Sequence, residues 1–204
     1  MNQDTTSVNL LFDVSIKNEW NKLLEKTIKS REDPKPFSQQ FHLITTIDFK
    51  FDSPFDVKLS QNFILVSDYA SGHIHVFDSH SKEYVTSLEC PLPRYMLIEM
   101  NHCTKVEYLI FSCDDDHVYK VDLMKSIYRA KNNLPLNYIW TFGDGCDLVN
   151  GLAISYSNKY LNNDNALFVC DSYNNRVLIL NARTGTCIGE IIEYTTVKCK
   201  TLRV

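Results

Sequence analysis

The sequence predicts an all-β fold: a partial, open β-propeller of about three four-stranded blades, preceded by an N-terminal amphipathic helix. Short runs of β-forming residues, separated by turn signals, fill the chain from about residue 41 onward. A pattern of such runs recurs along the chain at a spacing typical of propeller blades. Aromatic residues make up 12% of the chain, which favours strands over a helical bundle.

Residues 1–36 differ from the rest of the chain. Asp13 or Ser15 begins a predicted helix that runs to about Ser30. Its apolar residues recur at helical spacing on one face: Ile16, Trp20, Leu23, Leu24 and Ile28. Two prolines, Pro34 and Pro36, then end the helix. We interpret residues 1–36 as a helix with a linker, and we expect its apolar face to dock on the rest of the chain or on a partner.

The predicted strands fall into three sets, within a repeat region of residues 41–192. The first set is 42–49, 55–59, 63–67, 73–78 and 83–88. The second set is 95–100, 107–112, 117–122 and 138–142. The third set is 151–155, 166–170, 176–181 and 186–192. Residues 193–204 are predicted to be a tail or the start of a further strand.

An internal repeat groups these strands into blades. The run that ends at Asp68 matches the run that ends at Asp171, and five residues after each aspartate a second run begins, at His73 and Arg176. A weaker copy lies between them, at residues 108–112 and 117–122. Extra residues around 131–137 and 159–165 are interpreted as longer loops.

The third copy resembles an NHL repeat. Gly143 stands in its glycine-containing lead-in, Gly151 opens the first strand, and the sequence Val169-Cys-Asp-Ser-Tyr-Asn-Asn-Arg176 follows. The first copy departs from the family pattern because His73 stands where the family has arginine. The second copy lacks the characteristic loop, since Asp114, Asp115 and Asp116 lead directly into His117.

The repeat motif also has a structural interpretation. We interpret seven residues as structural members of the repeat: Asp68, His73, Gly143, Gly151, Asp171, Asn175 and Arg176. The aspartates are expected to accept hydrogen bonds from backbone N–H groups of the following turn. Asn174 and Asn175 tolerate a left-handed backbone. Arg176 is expected to pair with Asp171 or to reach a neighbouring blade.

The resemblance to NHL propellers implies a scaffold for protein–protein interaction, without catalysis and without a cofactor. The candidate surface is the set of loops 68–72, 112–116 and 172–175, with Tyr69, Asp115, Tyr173 and Asn174 as candidate contacts. Two alternatives remain: an RNA-binding propeller, and a fragment of a metal-dependent propeller lyase or hydrolase. Surface charge over the loops distinguishes the RNA-binding alternative from the protein scaffold. Histidine or carboxylate ligands that converge on a metal ion would indicate the enzyme.

Charge and cysteine content limit which partners and which cellular compartment the sequence predicts. The formal net charge is −4, and lysines and arginines are scattered, so nucleic-acid binding is disfavoured. The metal-capable residues 113–117 are interpreted as a solvated turn. Seven cysteines without regular spacing are interpreted as buried free thiols in a reducing compartment. With no signal-peptide pattern and no long apolar run, we expect a cytoplasmic or nuclear protein that is neither secreted nor in a membrane.

Three blades do not close a ring. The chain is a truncated or divergent fragment, it assembles with a second copy into a homo-oligomer, or the N-terminal helix covers part of the opening. The fragment is the interpretation that the sequence favours, because residues 197–204 resemble a strand that stops.

Overall fold

The computed structural model describes residues 45–101, 103–156, 164–196 and 199–203. The chain divides into two compact units, Met1–Thr46 and Ile47–Val204. The described residues lie almost entirely in the second unit. The predicted N-terminal helix therefore falls outside the described residues.

The described fold is all-β, as predicted, and it consists of three antiparallel sheets. The first sheet contains β1 (Pro54–Leu59), β2 (Phe63–Asp68), β3 (His73–Asp78) and β4 (Tyr84–Glu89). The second contains β5 (Pro93–Met100), β6 (Glu107–Cys113), β7 (Val118–Asp122) and β8 (Tyr138–Phe142). The third contains β9 (Val149–Ser155), β10 (Ala166–Asp171), β11 (Arg176–Asn181), β12 (Cys187–Thr196) and β13 (Cys199–Arg203). Four strands in chain order thus form the repeating unit, and β13 adds a fifth strand beside β12.

One predicted strand is wrong over the part that is described. The predicted strand is 42–49. Its described residues, 45–49, have no regular secondary structure, and neither does residue 50. The ring of Phe49 instead packs against Phe77 and Tyr84 of the first sheet, with centroids 5.2 and 5.3 Å away. Phe49 therefore covers a sheet and does not extend one.

A helix occupies residues to which the sequence analysis assigned no element, between the predicted strand 117–122 and the predicted loop around 131–137. Helix α1 (Leu123–Lys131) follows β7 directly, and Asp122 caps it by accepting a hydrogen bond from the Lys125 N–H. Leu123 and Ile127 are one turn apart and both are buried in the core between the first and second sheets. The longer spacing between the second and third copies is therefore partly helical, which the sequence interpretation missed.

Two apolar cores join the sheets in chain order. The first core includes Leu65, Ile74, Val76 and Leu88 of the first sheet, and Met96, Leu109, Phe111 and Val121 of the second. The second core includes Ile110, Val118 and Trp140 of the second sheet, and Leu167, Val169, Leu178 and Leu180 of the third. Burial of each such aliphatic or aromatic side chain stabilises the fold by about 1.5–3 kcal/mol.

Strand β6 shows how one sheet serves both cores. Leu109 and Phe111 point into the first core, while Ile110 between them points into the second. Alternate residues of a strand face opposite sides of the sheet, so a run that is apolar throughout fits a sheet covered on both faces. The first strand of the second sheet, β5, contacts β1 on one side and β9 on the other.

No helix within the described part of the chain is long and apolar enough to cross a membrane.

Candidate functional site

Three hairpin loops form what we call the loop face: residues 69–72 between β2 and β3, 114–117 between β6 and β7, and 172–175 between β10 and β11. The same backbone contact holds each loop. The first residue after the second strand donates its N–H to the carbonyl before the first strand, in the pairs Tyr69–Ser53, Asp114–Leu92 and Ser172–Leu148. These contacts fix which positions of the three sheets are equivalent.

Buried aspartates anchor the first and third loops. Asp68 is fully buried and accepts the backbone N–H groups of Asp52, at 2.9 Å, and Ser53. The Nε2 atom of His75 lies 3.3 Å from the same carboxylate. Burial alone would raise the pKa of Asp68, but the two backbone N–H groups and His75 outweigh burial and hold that pKa below its usual value.

Asp171 anchors the third loop in the same way. It is fully buried and accepts the Asp147 N–H at 2.8 Å, the Asn174 side-chain amide at 3.0 Å and the Arg176 Nε at 2.7 Å. Burial opposes ionisation here as well, but the Asp147 N–H and the Arg176 and Asn174 side chains hold the pKa of Asp171 below its usual value. The expected pair of Asp171 with Arg176 is present. The main backbone donors, however, come from the segment before the sheet and not from the following turn.

The second sheet replaces this anchor with a thiol. Cys113 occupies the position of Asp68 and Asp171, and it is buried. Pro91 stands where Asp52 and Asp147 supply an N–H donor, and proline has none. A hydrogen bond with Cys90 and burial raise the pKa of the Cys113 thiol. A carboxylate at this position would lose a backbone donor that the other two sheets provide, which explains the change of residue type.

A polar cluster ties the first loop to the second. The Tyr69 hydroxyl donates to Asp114 Oδ2 at 2.8 Å, and Arg94 on β5 forms an ion pair with the same carboxylate. The Arg94 guanidinium also lies 5.4 Å from the centroid of the Tyr69 ring. Its Nη1 is 3.4 Å from Asn150 Oδ1, at the third sheet. Arg94 thus connects all three sheets at the loop face.

The second loop is tied to the third sheet by a separate contact. Asp116 Oδ1 accepts the Leu148 N–H at 2.8 Å, and the Tyr173 N–H donates to the neighbouring Asp147 carbonyl at 3.1 Å. Within the second loop, Asp115 accepts the Tyr119 hydroxyl at 2.5 Å. Each loop is therefore held by hydrogen bonds to strands or to neighbouring segments.

The remaining motif residues have local roles. Asn175 has a φ of 51°, so it uses the left-handed conformation that its residue type predicted. Gly143 lies against the His117 ring, and a Cβ there would come within 2.3 Å of that ring. A Cβ on Gly151 would contact the sulfur of Cys170 at 3.3 Å. His73, at the position of Arg176, has its Nδ1 2.6 Å from the Ser71 carbonyl.

The loop face exposes aromatic and acidic side chains. Tyr173 is 69% exposed, and Phe55, beside Tyr69 and Tyr95, is also exposed. The exposed carboxylates on or next to the loops are those of Asp52, Asp114, Asp115, Asp144 and Asp147. The two arginines here are already ion-paired, Arg94 with Asp114 and Arg176 with Asp171 and Glu190.

The sequence interpretation placed Tyr69, Asp115, Tyr173 and Asn174 on the loops, and the structure locates them there. It missed Arg94, which lies on β5 and reaches its partners only across sheet boundaries. Asn174 is turned inward, since its amide is bonded to Asp171 and to the Gly145 carbonyl. Tyr173 is the candidate contact with the largest accessible surface.

The six cysteines whose side chains the structure describes are free, but they are less buried than predicted. Cys90 and Cys113 are buried, whereas Cys103, Cys170 and Cys187 are exposed. The side chain of Cys170 lies on the face of the third sheet that points away from the second core. Its position in a strand therefore did not imply burial.

A second group of charged residues lies between the second and third sheets, in a cleft of about 370 Å³. Buried Lys120 donates to Glu99 at 2.5 Å and to the Ala182 carbonyl at 2.7 Å. Glu99 also accepts from the Asn165 amide at 2.6 Å. These groups satisfy one another, so we assign the cluster a structural role. Within the described ranges, no group of three histidine, cysteine or acidic residues could hold a metal ion.

Comparison with protein-family models finds no model that matches the chain. Comparison with curated proteins finds no matching protein. Fold and loop geometry are therefore the basis for the function proposed below.

Proposed function

We propose that the chain is an NHL-type β-propeller scaffold that binds a protein partner through the loop face and performs no catalysis. The propeller arrangement is supported by the repeat of one four-stranded unit, packed in chain order through two cores. It is also supported by the contacts of β5 with β1 and β9, since the first strands of propeller blades lie side by side around the axis.

The binding proposal rests on the exposed Tyr173 ring, which lies on a loop that hydrogen bonds to the buried Asp171 hold in place. Tyrosine supplies a large contact area at a low cost in conformational entropy, and aromatic residues are enriched at protein interfaces. The hydrogen bonds of Asp171 to Asn174, Arg176 and the Asp147 backbone fix the loop before any partner arrives. A preformed loop loses less entropy on binding.

The charge of the loop face favours a protein partner over RNA. Phosphate binding draws its affinity from unpaired lysine and arginine side chains. At the loop face Arg94 and Arg176 are committed to carboxylates, and the exposed carboxylates around them would repel phosphate. We propose a partner segment that carries lysine or arginine, because such a segment complements the acidic loops.

The proposal includes no catalytic step, because the buried carboxylates at the loop face are committed to structure. Asp68 and Asp171 each accept hydrogen bonds from the segment before their sheet and from side chains next to the loop, and these donors lower their pKa values. A general acid or base at neutral pH needs a pKa near 7, so these groups are poorly suited to that role. We place the protein in the cytoplasm or nucleus, in keeping with its free thiols.

Selection of a phage-displayed peptide library on the purified chain tests this proposal. We expect selected peptides to contain lysine or arginine. Tyr173→Ala should weaken their binding about tenfold or more, as for an aromatic interface residue. Tyr128→Ala on α1 is the matched control, because Tyr128 is 68% exposed and lies away from the loops.

If neither Tyr173→Ala nor Tyr128→Ala weakened peptide binding, the loop face would not be the binding surface. Salt-dependent binding of a labelled single-stranded RNA pool, together with failure to select any peptide, would instead favour the RNA-binding alternative.

A further inference from the structure

The equivalent positions of the three sheets assign a direction to each sheet face. We call the face turned toward the preceding sheet the leading face, and the opposite one the trailing face. Cross-strand pairs on the leading faces are Leu59–Ile64, Ile98–Leu109 and Ile154–Leu167. The corresponding pairs on the trailing faces are Lys58–Leu65, Leu97–Ile110 and Ala153–Phe168.

Inside the chain, each trailing face is covered by the next leading face. The first core joins the trailing face of the first sheet, with Leu65, to the leading face of the second, with Leu109. The second core repeats this arrangement one sheet later, with Ile110 facing Leu167. Two interfaces of the same kind are thus built from the same repeat positions.

The leading face of the first sheet follows this pattern, but the described residues leave its inner half largely exposed. Val57 is 56% exposed and Leu59 is 70% exposed, whereas Met96, the equivalent of Val57 in the second sheet, is 1% exposed. The rings of Phe49 and Phe51 cover only the part of this face near Phe77. The first strand therefore presents apolar side chains suited to the trailing face of another sheet.

The trailing face of the third sheet shows the reciprocal feature. Phe168, Val177 and Ile179 are only partly buried there. Their equivalents in the first sheet are Leu65, Ile74 and Val76, all fully buried in the first core. At the opposite end of the series of sheets, an apolar surface equivalent to one that receives a leading face is therefore less buried by the described residues.

We infer that two copies of this chain associate head to tail, with the leading face of each first sheet packed on the trailing face of its partner's third sheet. These faces fit a second copy of the chain. Inside the chain, a leading face always packs on a trailing face, and a second copy supplies both kinds of face. One two-fold axis generates both contacts at once, and contacts of this kind close into a ring. Six sheets lie within the range that propellers use.

This inference rests on the propeller arrangement proposed above, but it does not require that the loop face bind a partner. The test uses the full chain in light scattering and native mass spectrometry. We expect a species of twice the 23.6 kDa chain mass. Leu59→Glu on the leading face and Ala153→Lys on the trailing face should each give a monomer. Both positions are exposed, so the folded chain tolerates the substitutions.

Mixing the two variants provides the decisive comparison. A mixed dimer has one interface that pairs the new glutamate with the new lysine, and a second interface without substitutions. We therefore expect the equimolar mixture to recover the dimer mass with one chain of each kind. Met124→Glu, at an exposed position of α1, should leave the dimer unchanged.

A wild-type chain that stays monomeric over a wide concentration range would overturn the inference. So would a dimer that survives both single substitutions, or a mixture that does not recover the dimer. Circular dichroism of each variant separates loss of association from loss of folding. A monomer that still binds selected peptides through Tyr173 would reject the head-to-tail dimer and leave the proposed function standing.

Discussion

Asp68 and Asp171 act as ties between parts of the chain that are distant in sequence. Each lies at the end of the second strand of its sheet and accepts backbone N–H groups from the segment before the first strand. Removing an ionised partner from such a contact leaves partly buried donors unsatisfied, which costs more than the net value of one hydrogen bond. Where Pro91 removes a donor, Cys113 replaces the aspartate, so residue type follows the available donors.

Acid should destabilise the protein through these two carboxyl groups. Because their pKa values in the folded chain are below those of the unfolded chain, they stabilise the fold at neutral pH. That stability is present above the unfolded value of about 4 and is lost as the pH falls through the folded value. Urea unfolding between pH 7 and pH 3 should therefore show a steep loss of unfolding free energy for the wild type.

In the same experiment, Asp171→Asn should lose about 2 kcal/mol at neutral pH. Its unfolding free energy should also change less on acidification. Asp144→Asn, an exposed position on the same lead-in, should differ from wild type by less than about 0.5 kcal/mol. Parallel pH curves for wild type and Asp171→Asn would show that Asp171 does not link folding to proton binding.

At the scale of elements, most strands could be predicted from local sequence, because alternation and turn residues are properties of short segments. The strands that begin at His73, Tyr138 and Arg176 start and end where the sequence predicted. Helix α1 also carries a local signal, since Asp122 is a capping residue and Leu123 and Ile127 have helical spacing. It was missed because no element was assigned to the residues between the predicted strand 117–122 and the loop around 131–137.

What could not be predicted depends on contacts between distant segments. Residues 45–50 contain strand-forming residues, but Phe49 packs on Phe77 and Tyr84 instead of extending a sheet. Arg94 carries no motif, yet it contacts Tyr69, Asp114 and Asn150 from other parts of the chain. Local patterns do not encode such contacts.

The turn between β11 and β12 gives a prediction at the element scale. Gly185 has a φ of 75°, and a Cβ there would lie 2.7 Å from the Trp140 ring. Gly145 has a φ of 66° but room for a Cβ. Gly145→Ala should therefore cost about 1 kcal/mol from backbone strain alone. Gly185→Ala should cost about 2–4 kcal/mol, because overpacking against Trp140 adds to the strain.

Urea denaturation of the two glycine variants measures this difference in unfolding free energy. The shared left-handed backbone makes Gly145→Ala the control for Gly185→Ala. Equal losses would mean that the Trp140 ring moves aside without cost and does not fix the end of the third sheet.

At the scale of the whole molecule, a four-stranded sheet is repeated along the described part of the chain, and successive sheets pack in the same way. Each sheet presents a leading and a trailing apolar face, and the two internal cores use the same positions in turn. The repeat, and with it the all-β fold, could be predicted because the matching runs are visible in the chain. Which faces are covered could not be predicted. Val57 and Met96 are both apolar and occupy equivalent positions, yet Val57 is exposed and Met96 is buried against another sheet.

A crystal structure of the full chain tests the proposed propeller most directly. We predict that β1, β5 and β9 lie around one common axis, with the loops that carry Tyr69, Asp115 and Tyr173 on the same side of it. Sheets packed face to face in a sandwich, with no common axis and with these three loops on different sides, would contradict both the propeller and the loop face.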